Sequence, residues 1–242
     1  MMMRPMARLG HMPPIALRPE DLVPFGQAWA SEGGKLDRGG QQSSTQLGLL
    51  FDNAVGGALA AMLGGVQVVA PSRITPLLPP QADCVEVGPV LVVGGVRPQH
   101  FDVAYRPDGV RFVFDSKTLN STDSIRKNWQ NMINDLATEA ATVHSRFPHA
   151  VVAFLVALPR PCLEATQRVA IIETLERLAR RVGVADPDHT AEAISLVLWE
   201  PSTGMIDTDV PQSSSSLRME RFSGQVEAAY AVRYGAFQPH AL

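Results

Sequence analysis

The run AVVAFLVAL, residues 150–158, constrains this chain more than any other segment. Nine consecutive apolar residues are too few to cross a bilayer. They also lack the polar alternation of a strand with one face in water, so they describe a strand buried on both faces. Ala193–Trp199 is a further buried strand of the same kind. Such strands need helices above and below, and the sequence supplies them. From Gln46, the residues Leu47, Leu50, Phe51, Ala54, Val55, Ala58, Leu59 and Met62 recur at helical spacing, and Gly64-Gly65 ends the run. Ser121 or Thr122 caps a second helix, whose stripe is Ile125, Trp129, Met132, Ile133, Leu136, Ala140 and Val143. Leu163–Val182 reads as a third, with Ile171, Leu175, Leu178 and Val182 inside, and Leu217–Tyr234 as a last. Val85–Val96 is apolar and β-branched, hence one or two strands.

The expected order is helix, strand, hairpin, helix, strand, helix, strand, helix. That predicts an α/β fold with a mixed central sheet flanked by helices. Residues 1–45 read as an N-terminal extension, with a helix near Pro19–Ala30 and a loop at SEGGKLDRGGQQSST. Residues 46–242 read as one domain that closes with a polar loop at Pro201–Ser216 and the last helix.

Composition narrows the function classes. No apolar run is long enough for a membrane span, and the start, MMMRPMARLGHMPP, lacks the apolar core of a signal peptide. Methionines at 1, 2, 3, 6 and 12 leave the start codon open. Two cysteines, Cys84 and Cys162, make neither a disulfide scaffold nor a zinc site, so a cytoplasmic, reducing setting is expected. A net charge of −3 excludes a uniformly basic nucleic-acid binder and leaves room for a local basic patch. The chain carries 18 Arg against 3 Lys, so each lysine asks for a reason.

One of those lysines ends the stretch FDVAYRPDGVRFVFDSKTL, residues 101–119. Asp108-Gly109 is a hairpin turn signal. A two-residue turn there sets 106 opposite 111 and 102 opposite 115. Opposed residues share a face of the sheet, and Lys117 lies two positions past Asp115 on that same face. The turn therefore predicts a cluster of Asp102, Asp115 and Lys117. Two carboxylates so close repel unless a cation stands between them. Lys117 supplies part of that charge, and a divalent cation held by both supplies more. Mg²⁺ suits one or two carboxylates together with waters and phosphate oxygens, and such a centre hydrolyses phosphodiesters.

Asp102, twelve residues, then Asp115-Ser116-Lys117 resembles the signature of the PD-(D/E)xK nucleases. The surrounding element order over roughly residues 46–200 looks like their restriction-endonuclease-like core. The resemblance implies that Asp102 and Asp115 are metal ligands, that the Ser116 backbone carbonyl is a third, and that Lys117 is the catalytic lysine. Phe101 stands where many members carry proline. Members also place an acid on the first helix, and Asp52 is the only acid in Gln46–Leu63. Two readings stand for Asp52: a metal ligand, or a helix acid that is either solvated or held by a local hydrogen bond. It shares a strip with Gly48 and Gly56 that allows close approach of another backbone. Some members add a Gln…Tyr motif on the helix after the lysine. Gln130 is near that place, but Asn134 replaces the tyrosine.

The resemblance implies a Mg²⁺-dependent endonuclease cutting double-stranded DNA at a specific sequence, a type II restriction enzyme acting as a homodimer. A structure-selective or repair nuclease and a non-catalytic DNA-binding protein are the alternatives. Arg126, Lys127, Asn128 and Gln130 open the helix after the hairpin, where they either touch DNA phosphates or simply face water. Residues 1–45 and 201–242 are expected to supply sequence readout and dimerisation. Arg177, Arg180 and Arg181 read as a solvated helix end, Trp129 as core, and His100 and His144 as packing or polar residues.

Overall fold

The two apolar runs lie side by side as parallel strands, each buried along its whole length. They belong to a computed structural model that describes residues 9–237 and Pro239. Its elements, in chain order, are α1 (Pro19–Ser31), α2 (Ser44–Met62), β1 (Gln67–Val69), β2 (Cys84–Val93), β3 (Pro98–Tyr105), β4 (Phe112–Thr118), α3 (Thr122–His144), β5 (Val151–Pro159), α4 (Ala165–Leu178), β6 (Ala193–Trp199) and α5 (Met219–Tyr234). Four of the possible starts, Met1, Met2, Met3 and Met6, lie outside the described residues, as do Gln238 and residues 240–242 of the expected second domain.

The sheet has six strands in sequential order, β1 to β6. The β1–β2, β4–β5 and β5–β6 pairs are parallel, and the β2–β3 and β3–β4 pairs are antiparallel. The fold is thus α/β with a mixed sheet, as the element order predicts. Alternation along the strands fills two cores. Val151, Ala153, Leu155 and Ala157 of β5 join α1, α2 and α5 on one face. Val152, Phe154, Val156 and Leu158 join α3 and α4 on the other. Burying both faces of β5 explains its unbroken apolar sequence. The outer edge of β6 is covered: Leu196 N–H donates to Leu217, and Asp207 N–H donates to Leu198. Among the described residues no helix is long and apolar enough to cross a membrane.

Of the one or two strands expected over Val85–Val96 there is one, Cys84–Val93, with a three-residue edge strand, β1, ahead of it that is too short for its pattern to register. Two expectations need correction. The helix begun near Leu163 stops at Leu178, and Val182 is 84% exposed instead of facing inward. Arg181 is not solvated. Its side chain is wholly buried, with Nε 3.2 Å from Glu192 and Nη1 donating to the carbonyls of Asp186 and Pro187. The buried Glu192 carboxylate draws the arginine in, which bends the chain out of the helix. Trp129, on α3, is half-buried against the core between the sheet and α3 and α4, and His144 is buried, with Nδ1 2.9 Å from the Asp188 carbonyl oxygen.

Candidate active site

The β3–β4 hairpin has the register that the Asp108-Gly109 turn predicts. Tyr105 pairs with Phe112, Ala104 with Val113 and Val103 with Phe114. Pairing stops there, so Asp102 and Asp115 stand at the first unpaired rung, where the two strands fork. A second irregularity lies on the other side of Asp102. On β2, pairing with β3 slips by one residue between Val87 and Val90, which sets Gly88 and Pro89 against Asp102 alone. Gly88 adopts φ +129°, a left-handed conformation that L side chains rarely take, and Pro89 has no N–H to pair. Such bulges re-aim side chains. Between bulge and fork, the Asp102 carboxylate turns into the gap. There Oδ2 accepts from Ser116 N–H at 2.8 Å and from Ser116 Oγ at 3.2 Å.

Asp52 arrives from α2. A Cβ on Gly48 would sit 3.3 Å from Ser116 Oγ, and one on Gly56 2.3 Å from Val87 Cγ2, so the glycine strip lets α2 lie directly on the sheet. Asp52, between them, is 4% exposed and accepts from Ser116 Oγ at 2.8 Å. Burial, reinforced by the nearby Asp102 charge, pushes its carboxyl up to about 8, and the Ser116 hydrogen bond offsets only part of this. Solvation is excluded, and a buried acid hydrogen-bonded to Ser116 fits both the ligand reading and the local-hydrogen-bond reading.

Asp115 and Lys117 point to the α3 side. The Lys117 ammonium is ion-paired with Asp115 and lies 2.8 Å from Oε1 of Glu139 on α3. Burial raises the Asp115 carboxyl well above its usual range and the Asp102 charge adds to that, while Lys117 opposes it. Glu139 moves the same way, again chiefly through burial. Burial pulls Lys117 down, but the two carboxylates outweigh it and hold the ammonium protonated above its ordinary value. The Lys117 side chain keeps 26% of its exposure, so the fork is reached from solvent.

The predicted cluster is therefore present in two linked parts. Asp52 and Asp102 meet at Ser116, and Asp115 meets Lys117. Glu139 was missed, although the sequence carries a signal for it. It falls between Leu136 and Ala140 on an otherwise apolar stripe, where a carboxylate needs a partner. Arg126, Lys127, Asn128 and Gln130 are all exposed in the first turns of α3. Arg126 is paired with Asp123 at 3.0 Å, and Lys127 lies 4.0 Å from the same acid. None of the four touches the fork.

Among the described residues no group of three or more His, Cys, Asp or Glu side chains is arranged to hold a metal by itself. Mg²⁺ asks for less: one or two carboxylates, the rest being water and phosphate. The donor chemistry at the fork meets that need, with Asp102 and Asp115 flanking the gap. The Ser116 carbonyl leaves β4 on the same edge as its N–H, toward Asp102. Four carboxyl groups face one ammonium; burial favours the protonated forms of Asp52, Asp115 and Glu139, and a cation bound there would favour the ionised ones. A cavity of about 960 Å³ lies at the turn end of the hairpin, lined by Gly109, Phe147, Val182, Val232, Tyr234 and Phe237, and contains none of these residues. Comparison of the chain with protein-family models, with curated proteins and with solved structures finds no match.

Proposed function

We propose that the protein is a Mg²⁺-dependent endonuclease of the PD-(D/E)xK type, with a restriction-endonuclease-like core, that cuts double-stranded DNA at a specific sequence. One observation carries the reading: a forked hairpin that gathers Asp102, Asp115 and Lys117, with Asp52 and Glu139 brought to it, so that four carboxyl groups meet one ammonium. Asp102 and Asp115 would hold the ion, with the Ser116 carbonyl as a further donor, and Asp52 supports Asp102 through Ser116. The chemistry such an ion would supply is polarisation of the scissile phosphate and a more acidic bound water. Ser116 fixes the Asp102 carboxylate through its N–H and its hydroxyl. Lys117, kept protonated by its two carboxylates, acts as a donor that steadies charge developing on the phosphate. Arg126 and Lys127, with Asn128 and Gln130, present polar groups at the start of α3 for the DNA backbone. A palindromic duplex site matches a homodimer. Two buried free cysteines suit a cytoplasmic enzyme.

The test is incubation of unmodified plasmid and amplified genomic DNA with the protein and Mg²⁺, then end sequencing of the products. Discrete fragments with a shared end sequence are expected. Cutting confined to branched DNA would make the protein a structure-selective nuclease. No cutting of any DNA would overturn the reading. In the same assay Lys117→Arg should lose nearly as much single-turnover rate as Lys117→Ala, because a planar guanidinium does not fit the place of a compact ammonium between Asp115 and Glu139.

A further inference from the structure

We propose that Glu139 is a positioning residue of this site, which sets where the Lys117 ammonium stands; the inference rests on the nuclease reading. Glu139 is 4% exposed on α3, in a stripe made otherwise of Ile125, Met132, Ile133, Leu136, Ala140 and Val143. Packing alone calls for an apolar residue at this point, since a buried ion pair is often no better than a hydrophobic pair of similar volume. Its only described hydrogen bond is the 2.8 Å contact with Lys117, and its Oε2 is buried without a hydrogen-bond partner. Glu139 therefore does nothing visible for the fold beyond this contact.

The lysine explains the need. Its stem is flexible, and Asp115 lies two residues back on the same strand face. With Asp115 alone, the ammonium is free to swing about one anchor. Glu139 reaches it from a different element, so Nζ is held between β4 and α3 and cannot fold down onto the strand. Orientation of this kind is worth a large factor in rate, because a displacement of about 1 Å can cost about 100-fold.

The experiment compares wild type, Glu139→Gln, Lys117→Met and the double variant in single-turnover cleavage of a bound DNA duplex, alongside NMR of protein labelled at lysine Cε. The chain has three lysines, Lys35, Lys117 and Lys127, so each signal can be assigned by substitution. Glu139→Gln is isosteric and should leave the thermal midpoint and Ca²⁺-supported DNA binding unchanged. Cleavage should drop about 100-fold, and should drop no further when the change is added to Lys117→Met, as expected for residues acting as one unit. The Lys117 signal alone should move. If wild type cuts and Glu139→Gln cuts equally well, or if its loss persists in the Lys117→Met background, Glu139 is not acting through Lys117 and the nuclease reading survives without it. An unmoved Lys117 signal overturns the inference whatever the activity. If wild type cuts no DNA, both readings fall.

Discussion

Two of the regions where this molecule buries carboxylates balance charge in opposite ways. Beyond α4, Glu192 is wholly buried just ahead of β6, 2.7 Å from Arg233 and 3.2 Å from Arg181, with its other oxygen accepting from Val152 N–H at 2.7 Å and 3.4 Å from His144. One carboxylate faces two guanidiniums, a backbone donor and an imidazole. The guanidiniums are themselves satisfied by carbonyls: Arg181 by Asp186 and Pro187, Arg233 by Ala150. At the fork, Asp52, Asp102, Asp115 and Glu139 share one ammonium and one serine. The Glu192 knot has its countercharge without a ligand, although Glu192 Oε1, Arg181 Nε and His144 Nε2 meet at ion-pair distances without a hydrogen bond, and it joins the segment after α4 to α5 and β5. The fork brings four carboxyl groups to one ammonium, with burial favouring protons on Asp52, Asp115 and Glu139, and oxygens left for a cation to claim distinguish a binding site from a structural tie. A third buried pair, Glu86 with Arg106, is matched one to one, with the guanidinium also donating to the carbonyls of Leu91 and Pro76, and belongs with the structural class.

The contrast is broken most directly at the fork. Asp102→Asn and Asp115→Asn should each lower single-turnover cleavage by at least about 1,000-fold, on the scale of removing an electrostatic stabiliser of the transition state. The folded protein should be as stable as wild type or more so, because each change removes a charge from an overcrowded group. A cleavage rate near wild type in either variant would remove that residue from the metal site.

The Glu192 knot should answer in the other direction. Glu192→Ala leaves Arg233 without its acid and Arg181 with only Asp188, 3.6 Å away, and should cost about 3–5 kcal/mol of stability, measured by urea unfolding. Wild-type-like stability would show that the carbonyls around Arg181 and Arg233 suffice by themselves, and the division into structural tie and binding site would lose its force.

The smallest effect is a slope with pH. Asp52 keeps its proton in the folded state up to about 8, against an ordinary 3.8 in the unfolded chain. Between those values the folded state binds the extra proton, so stability should fall as pH rises, by at most about 1.4 kcal/mol per pH unit from this group. In chelator, the unfolding free energy should decline from pH 5 to pH 8. Asp52→Asn should flatten that decline, and Mg²⁺ should reduce it by favouring the ionised carboxylates. A profile in chelator that is the same for wild type and Asp52→Asn would mean that Asp52 titrates normally. Asp52→Ala would then be expected to leave the metal titration unchanged as well.

Much of this was legible in the chain. AVVAFLVAL and Ala193–Trp199 required a sheet covered on both faces, because only a strand with no wet face is apolar at every position. Asp108-Gly109 set the hairpin register, and with it the rung that Asp102 and Asp115 share, because turn length and strand alternation are local properties. Glu139 was half legible, as a polar interruption of an apolar stripe whose partner the stripe does not name. Gly88-Pro89 marks an irregular strand, but not which residue the irregularity faces. Arg181 was misread because an arginine near a helix C-terminus is usually solvated, and nothing beside it in sequence announces Glu192.

What the sequence by itself determined is therefore the class of fold, the register of the hairpin and the residue types that meet at its open end. Periodicity and turn chemistry act over a few residues and are written in order along the chain. Only the tertiary structure decided that the hairpin forks at Val103 and Phe114, that a bulge on β2 turns Asp102 into the gap, that the glycine strip of α2 brings Asp52 to Ser116, and that α3 lends Glu139 to Lys117. Those contacts join residues 14 to 64 positions apart. They depend on how helices seat on a sheet, which no single segment specifies.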